Sequence, residues 1–253
     1  MRPDLRFALE LADAADAITL ARFRATDLRV ETKPDLTPVS EADRSVEEAI
    51  RAMVALRPGE SVFGEEFGDD GGSVRWIVDP IDGTKNYIRG VPVWATLLAH
   101  ERDGSVEVGV ASAPALGRRW WAVRGDGAWV SGARCRVSAV ETLADAIVST
   151  TSAAEMPAGW HELARRAWTS RGFGDFWQHC LVAEGAIDVA TDESLQPWDY
   201  AAVGLIVEEA GGRCTTFAGH PPAPDASFVS SNGRLHDAAV ALLAGGQTPL
   251  SRL

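Results

Sequence analysis

The chain has 253 residues, of which 46% are hydrophobic and 24% are charged, a composition typical of a globular protein with a large buried core. Its formal net charge of −12 argues against a surface that binds nucleic acid, because phosphate backbones attract lysine and arginine. The charge does not exclude a small phosphorylated substrate, since bound metal ions can reverse the local electrostatic field.

The three cysteines, Cys135, Cys180 and Cys214, are widely spaced and predict no disulfide framework, which favours a reducing compartment. Acidic residues interrupt the N-terminal segment and exclude the apolar core of a secretory signal. The longest apolar runs are far shorter than a bilayer span. The sequence therefore predicts a soluble, cytoplasmic protein without a membrane partner.

Apolar residues at helical spacing predict an amphipathic helix within residues 4–23. A second predicted helix begins near Ser40 and ends at Pro58-Gly59, and residues 32–39 before it are predicted to be an extended connector because they contain two prolines. Strand-like runs follow, several of them separated by Asp-Gly turns, which predicts a meander of antiparallel strands. These runs are residues 61–64, 74–78, 93–100, 106–112, 119–123 and 128–130.

From residue 146 onward, predicted strands alternate with predicted helices, as is typical of an α/β unit. The predicted strands are residues 147–150, 187–190 and 228–230, and the predicted helices are residues 157–168, 175–184, 198–210 and 232–243. We therefore expect an α+β half over residues 1–140 and an α/β half over residues 141–253. The active site is expected between the halves, where pockets often lie.

The most informative stretch is Asp79-Pro80-Ile81-Asp82-Gly83-Thr84, which directly follows an apolar strand. Carboxylates at a strand end bind hard cations, and exposed amides at the start of a helix bind phosphate. Asp79 and Asp82 flank a turn, so both can face the same ions, and the Ile81 carbonyl between them is a natural backbone ligand. The stretch therefore predicts metal-assisted phosphoryl transfer.

The spacing of the two acids separates two phosphatase chemistries. Haloacid-dehalogenase phosphatases use an aspartate nucleophile in a pattern with one residue between the acids, whereas Pro80 and Ile81 both intervene here. Direct attack by a metal-activated water is therefore favoured over a covalent aspartyl-phosphate.

Three further acids, Asp43, Glu65 and Asp199, stand beside turns or at element ends and are candidates to complete the site. Each also has a purely structural interpretation. Asp43 fits a capping box that begins at Ser40, and Glu65 could belong to a solvated turn. Asp199 is a favourable acid for the first turn of a helix. Local sequence leaves both uses open for all three.

Taken together and in chain order, Gly64-Glu65-Glu66, the run of residues 79–84 and Trp198-Asp199 resemble the inositol monophosphatase family of Mg²⁺-dependent phosphomonoesterases. The resemblance implies a mixed α/β (α+β) fold, the layered αβαβα sandwich of the inositol monophosphatase / fructose-1,6-bisphosphatase type. It also implies two or three Mg²⁺ ions per site. Glu65, Asp79 and the Ile81 carbonyl would hold the first ion, and Asp79, Asp82 and Asp199 the second.

The same resemblance implies the remaining catalytic roles. Thr84, polarised by Asp43, would orient and deprotonate the attacking water together with Glu65. The phosphate would be held by Asp82 and by the amides of Gly83 and Thr84. The alkoxide would be displaced in line, with the two ions stabilising the attacking and the leaving oxygens. Homodimers are common in the family, so a homodimer is a further expectation.

Other segments are similar to a narrower group of that family, the histidinol-phosphate phosphatases of actinobacteria: residues 33–39, 82–87, 89–94, 113–116, 174–176 and 180–185. Histidinol phosphate carries an ammonium group and an imidazole, so its pocket needs carboxylates beyond the metal ligands. The family's substrate-contacting segments fall on Gly174, Asp175 and Asp192. Asp175 would pair with the ammonium and Asp192, or its neighbour Glu193, with the imidazole. Asp175 is equally suited to cap a helix.

Alternative functions use the same metal ligands. Inositol 1-phosphate and 3′-phosphoadenosine 5′-phosphate are the competing substrates, and the acids near residues 175 and 192 count against the nucleotide. A protein that binds phosphate esters without hydrolysing them is the alternative outside the enzymes. None of the five histidines has metal-ligand spacing, and His179 in particular is predicted to be a surface or packing residue.

Overall fold

A computed structural model describes residues 2–34 and 36–245, so Asp35, which belongs to the resemblance over residues 33–39, lies outside the described residues. The helices of the described ranges are α1 (Pro3–Arg22), α2 (Glu41–Val54), α3 (Thr84–Ile88), α4 (Ala158–Arg166), α5 (Asp175–Ala183), α6 (Pro197–Glu209) and α7 (His236–Gly245). None of them combines the length and apolar character that a membrane crossing requires.

The strands of the first half are β1 (Val30–Thr32), β2 (Pro38–Ser40), β3 (Ser61–Gly64), β4 (Gly68–Asp69), β5 (Val74–Asp82), β6 (Ala95–Arg102), β7 (Ser105–Ala113), β8 (Arg118–Val123), β9 (Gly127–Val130) and β10 (Ala133–Arg134). Those of the second half are β11 (Ile147–Thr150), β12 (Thr169–Arg171), β13 (Val189–Leu195), β14 (Arg213–Thr215) and β15 (Ala226–Ser231).

The larger sheet has eight strands in the order β10-β9-β8-β7-β6-β5-β3-β4. From β5 to β10 each strand pairs antiparallel with the next one in the chain, which confirms the predicted meander. β3 instead runs parallel to β5. Because of this parallel pairing, the carboxyl end of β3, where Glu65 follows, lies at the same edge of the sheet as the acidic end of β5.

The smaller sheet has five strands in the order β12-β11-β13-β15-β14 and mixes parallel with antiparallel pairs. Its three longer strands were predicted. Its edge strands β12 and β14 have only three residues each, too few to show a period-two pattern.

The helices form three layers around the two sheets. α1 and α2 cover one face of the larger sheet, α5 and α6 lie between the sheets, and α4 and α7 cover the outer face of the smaller one. This arrangement is the predicted αβαβα sandwich. The division into halves at residues 1–140 and 141–253 stays a prediction.

The central helix α6 explains why the layers pack so closely. Its residues from Ala201 to Val207 are all buried, so the helix is apolar on every side, as a helix between two sheets must be. On β7, a side chain at Gly109 would place its Cβ only 2.7 Å from the Ala202 carbonyl oxygen. Glycine at this position therefore allows the helix backbone to approach the larger sheet.

The segment before α2 differs from its prediction. Instead of a simple connector, it forms an antiparallel hairpin in which β1 pairs with β2, with Val30 opposite Ser40. The extended backbone that the prolines impose is compatible with a strand, and Leu36 turns the chain with a φ of 69°. The hairpin brings Lys33 next to the acids that follow β3.

Candidate active site

Two of the predicted ligands lie where β5 departs from regular pairing. The partner of Asp79 on β6 is Leu97, and that of Asp82 is Ala95, so β5 has one residue more than β6 over this interval. A regular strand would point residues three apart to opposite faces, and the irregularity removes this alternation. The Ile81 amide donates a hydrogen bond to Asp79 Oδ1 over 2.9 Å and stabilises the bend.

The third ligand comes from α6. Asp199 lies in the first turn of this helix, where its Oδ2 accepts a hydrogen bond from the Gln196 amide over 2.7 Å. One carboxylate oxygen from each of Asp79, Asp82 and Asp199 lies within 4.8 Å of the other two. The structure thus brings two acids of β5 and one acid of α6 together, and Asp199 also has its predicted role at the helix start.

Burial makes this group electrostatically costly. It raises the pKa of Asp79 and of Asp82 well above the usual range for aspartate, and neighbouring carboxylates raise both further. Burial likewise raises the pKa of Asp199, to about 7. Several buried carboxyl groups at one point need a compensating cation, and an all-oxygen set is the chemistry that Mg²⁺ prefers. The donor set therefore fits the expected metal.

Glu65 lies near this group but is not a member of it. Its carboxylate is 2.7 Å from Lys33 Nζ, which also contacts Glu66 at 2.6 Å. Glu65 is nevertheless close enough to Asp79 to contribute to raising its pKa. The structure thus places the predicted first-ion ligand at the edge of the acidic group, paired with a lysine of the β1–β2 hairpin.

Asp43 caps α2 and also contacts Thr84. It is buried at the start of α2, where its Oδ2 accepts a hydrogen bond from the Ser40 amide over 2.8 Å and completes the capping box. Its Oδ1 lies 3.2 Å from Thr84 Oγ1. The same threonine hydroxyl lies 2.9 Å from the Ile81 carbonyl oxygen. Thr84 therefore connects the cap of α2 with the backbone carbonyl predicted to bind metal.

Gly83 immediately precedes α3 with a φ of 84°, in the left-handed region that favours glycine. A Cβ here would lie 3.1 Å from the Val93 carbonyl oxygen and 3.3 Å from Asp175 Oδ2. Both the backbone conformation and the confined space thus require glycine where the phosphate was predicted to bind.

A cavity of about 330 Å³ opens beside the acidic group. Asp82 and Asp199 contribute to its wall, as do Asp175 and Asp192, the two acids predicted to contact substrate. Gly174, the third predicted residue, is the N-cap of α5 and is not among the described residues that line the cavity.

Asp175 is consequently not the helix cap that was the alternative to its functional use. It is the first residue of α5, has a φ of 48°, and its Oδ2 accepts a hydrogen bond from Asn86 Nδ2 over 3.0 Å. Burial raises its pKa to about 6, and Asp192 adds to the effect. A carboxylate in this environment is well suited to a cationic partner.

Two residues of α5 contact the carboxylate of Asp192. His179 Nε2 lies 2.9 Å from Asp192 Oδ2, and the Gln178 side-chain amide donates to the same oxygen over 2.7 Å. The other ring nitrogen of His179 lies 2.8 Å from Ser230 Oγ. His179 also lines the cavity, so our prediction of a surface or packing role missed its position beside the site.

Sequence reasoning missed two side chains of the cavity wall, His179 and Glu155. His179 follows Asp175 by four residues, a spacing that places both on one helix face and could have linked them. Glu155, in the irregular segment before α4, also lines the cavity, and its sequence context gives no signal for this. Glu193 lines the cavity too but is exposed, whereas Asp192 is buried.

Comparison with known proteins places the chain in a well-populated group. The inositol monophosphatase family model matches residues 1–247. A histidinol-phosphatase of Streptomyces coelicolor is 51% identical over 92% of this chain and 94% of its own length. One of Mycobacterium tuberculosis is 48% identical over 96% of this chain and 98% of its own length. Among solved structures, an IMPase of Thermotoga maritima superposes with a TM-score of 0.89 at 31% identity, covering 96% of this chain and 98% of that one.

Proposed function

This chain belongs to the inositol monophosphatase family, whose members are phosphoric monoester hydrolases, and we propose that it hydrolyses histidinol phosphate to histidinol and phosphate in a Mg²⁺-dependent reaction. Such an activity belongs to histidine biosynthesis. The histidinol-phosphatases at 51% and 48% identity support the substrate, and they extend over nearly the whole chain.

The observation that carries the substrate assignment is the charge of the cavity wall. Beyond Asp82 and Asp199, the wall contains four acids and, among the described residues, neither lysine nor arginine: Glu155, Asp175, Asp192 and Glu193. The hydroxyl groups of a neutral leaving group can donate hydrogen bonds to such a wall, but they bring no positive charge to offset it. A leaving group with an ammonium and an imidazole gains ionic hydrogen bonds to it.

We assign Asp175 and Asp192 to the two nitrogen-bearing groups of the substrate, the ammonium and the imidazole. Asp175 Oδ2 lies 3.3 Å from the place where a Cβ on Gly83 would be, close to the proposed phosphate position, so we assign it to the ammonium next to the scissile ester. Asp192 is the more buried of the two, is hydrogen-bonded by Gln178 and contacts His179, and we assign it to the imidazole. Because both donors bind Oδ2, the other carboxylate oxygen is left for the substrate.

The ligands for the ions are the residues predicted from the sequence. Asp79, Asp82 and Asp199 would be joined by Glu65 once its carboxylate leaves Lys33, and by the Ile81 carbonyl. We propose two or three Mg²⁺ ions per site, which when bound would supply a polarised water and neutralise the leaving alkoxide.

The chain's own residues orient the reaction. The Thr84 hydroxyl, hydrogen-bonded to Asp43, would align the attacking water with help from Glu65, while the Gly83 and Thr84 amides, with Asp82, would hold the phosphate. The water oxygen forms the new bond to phosphorus as the ester bond breaks on the opposite side. One proton of the water would leave toward the Thr84–Asp43 pair, and solvent water would carry a proton from this pair to the alkoxide of histidinol, so that one water is divided between phosphate and histidinol.

The assignment is tested by phosphate release from histidinol phosphate, inositol 1-phosphate and 3′-phosphoadenosine 5′-phosphate, each with Mg²⁺ and with chelator. We expect Mg²⁺-dependent release with a strong preference for histidinol phosphate. A preference for either other ester would overturn the substrate assignment and leave the metal chemistry standing. Affinity for these esters without release would instead identify a binding protein. The homodimer and the cytoplasmic location stay predictions.

A further inference from the structure

A buried carboxylate on α2 has no part in the reaction described above. Glu47 is completely buried, and both of its carboxylate oxygens face the turn between β3 and β4. Its Oε2 accepts a hydrogen bond from the Glu66 amide over 2.7 Å, and its Oε1 accepts one from the Phe67 amide over 3.2 Å. These two amides directly follow Glu65, the ligand proposed for the first ion.

Arg51, one helical turn further along α2, neutralises this carboxylate and extends its hold on the turn. Its guanidinium donates to Glu47 Oε1 over 2.9 Å, to the Gly68 carbonyl over 2.6 Å and to Asp70 over 2.7 Å. Glu47 and Arg51, which are one helical turn apart on α2, therefore both hydrogen-bond to the segment that leads from β3 into β4. Glu47 is buried and Arg51 only partly so, and removing the guanidinium would leave the Glu47 carboxylate as an uncompensated buried charge. Because each partner also makes several hydrogen bonds, the pair fixes the geometry of this segment.

Gly64 shows how closely the carboxylate fits. A Cβ at this position would lie 2.1 Å from Glu47 Oε1 and 2.5 Å from Oε2, distances that no side chain could occupy unless Glu47 moved. The backbone of Gly64 does not have a positive φ. The glycine beside Glu65 is therefore required by the Glu47 carboxylate and not by a turn conformation.

The spacing along α2 connects this contact with the other side of the active site. Asp43 and Glu47 are four residues apart and lie on one face of the helix, so one rigid element contacts both Thr84 and the Glu65 turn. Thr84 and Glu65 are the two groups proposed to flank the attacking water.

We propose that Glu47 is a positioning residue that sets the place of the Glu65 carboxylate relative to the Asp43–Thr84 pair, an inference that rests on the proposed function of Glu65 as a metal ligand. Lys33 restrains only the end of the Glu65 side chain, and that contact must break when a cation binds. Glu47 holds the backbone instead, so its contacts need not break for the Glu65 side chain to turn toward an ion.

The test is a titration of the metal-free protein with Mn²⁺ in the absence of substrate. Electron paramagnetic resonance measures the concentration of unbound Mn²⁺ at each step. In Glu47→Gln the size is kept, but an amide nitrogen faces one of the two backbone donors, and Arg51 keeps only Asp70 as a charged partner. We expect the dissociation constant of the Mn²⁺ site that includes Glu65 to rise about tenfold, as is usual when a residue supporting a metal ligand is changed. Glu48→Gln, its exposed neighbour, is the matched control and should bind as the unmodified protein does.

Enzyme assays give a second readout that lost stability alone would not produce. The Mg²⁺ concentration for half-maximal activity should rise in Glu47→Gln, while the KM for the ester at saturating Mg²⁺ stays the same. Circular dichroism checks that each variant is folded at the assay temperature. If Glu47→Gln does not fold, Gly64→Ala makes the same test by displacing the carboxylate. If both single variants fold, the double variant should lose no more affinity than the worse single one.

The outcomes separate the two proposals. Unchanged Mn²⁺ affinity in a folded Glu47→Gln, with the unmodified protein binding normally, would overturn the role of Glu47 alone. Absence of divalent-ion binding by the unmodified protein would overturn the proposed metal site and the inference with it. Equal loss of affinity in Glu48→Gln would show a general charge effect and would also overturn the inference.

Discussion

The Thr84 hydroxyl lies 3.2 Å from Asp43 Oδ1, which joins the first residue of α3 to the carboxylate that caps α2. The contact links two short sequence motifs that are far apart in the chain. It also gives a capping residue a second partner, so the helix start and the proposed catalytic pair depend on the same carboxylate.

This relationship predicts a sharp difference between two substitutions of Thr84. Thr84→Val keeps the shape and removes the hydroxyl, so kcat should fall on the order of 10²–10⁴-fold, the range for lost acid–base assistance. Thr84→Ser keeps the hydroxyl and should retain most of the activity. Steady-state kinetics at saturating Mg²⁺ makes the comparison. Equal activity in the two variants would contradict the role of the hydroxyl.

Asp175 predicts a substrate-selective defect. Asp175→Asn is the suitable change, because asparagine tolerates the φ of 48° and keeps the size of the side chain. Loss of an ionic hydrogen bond costs about 1.5–3 kcal/mol, so kcat/KM for histidinol phosphate should fall at least about tenfold. Hydrolysis of glycerol 2-phosphate, whose leaving group is neutral, provides the reference. Equal losses for both esters would remove the proposed contact with the ammonium.

The neighbours Asp192 and Glu193 offer a matched pair. Asp192 is buried and anchored by His179, whereas Glu193 is exposed to solvent that screens its charge. Asp192→Asn should therefore raise the KM for histidinol phosphate about tenfold or more, and Glu193→Gln should change it less than about threefold. A larger effect of the Glu193 substitution would transfer the imidazole contact to that residue.

His236 predicts how stability depends on pH. Burial lowers its pKa to about 4, and its ring nitrogens lie 2.9 Å from Thr215 Oγ1 and 2.8 Å from Ser231 Oγ. The unfolded chain, with a pKa near 6.5, binds a proton that the folded chain does not, so stability is lost as pH falls from about 6.5 toward about 4.

Urea unfolding at pH 7.5 and pH 5 measures this loss, which should be on the order of 1 kcal/mol larger in the unmodified protein than in His236→Gln. A chelator is present for both proteins, so that the carboxylates of Asp79, Asp82 and Asp199 contribute equally to the pH dependence of the two. The same pH dependence in both proteins would show that His236 does not titrate as described.

Two glycines in contrasting positions test the packing of α6. Gly109→Ala would force a Cβ to 2.7 Å from the Ala202 carbonyl oxygen, and overpacking of this kind costs about 1–3 kcal/mol. A Cβ at Gly204, within α6, would meet Phe228 at an ordinary 3.8 Å. Gly204→Ala should therefore be neutral or stabilise the protein by up to about 1 kcal/mol, since alanine favours helix. Thermal unfolding compares the two, and similar shifts would contradict the close approach at Gly109.

Much of this fold follows from local patterns in the sequence. The strand at residues 61–64 has the predicted bounds, and α6 begins one residue earlier than expected, because apolar periodicity and helix-start signals are strong in both. The parallel pairing of β3 with β5 was not predicted, since a strand's apolar pattern does not show the direction of its partner. The β1–β2 hairpin differs from the predicted connector because prolines favour an extended backbone, which a connector and a short strand share.

In the candidate site, too, local patterns were predictable and contacts between distant elements were not. Asp79 and Asp82 were recognisable because a strand, a turn and a helix start are compressed into one run. The sequence could not show that Glu65 pairs with Lys33, or that His179 supports Asp192, because both contacts depend on how distant elements pack. Glu47 looked like any other acid on a helix, and only its burial against Gly64 distinguishes it.

Helix α6 has a mechanical consequence. It packs against strands of both sheets and carries Asp199, whereas Asp79 and Asp82 belong to β5 in the larger sheet. A cation bound by all three carboxylates therefore cross-links the central layer to the larger sheet at one point. Under an applied force these layers could separate there only after the ion is released, so the force needed to separate them should depend on the concentration of free cation.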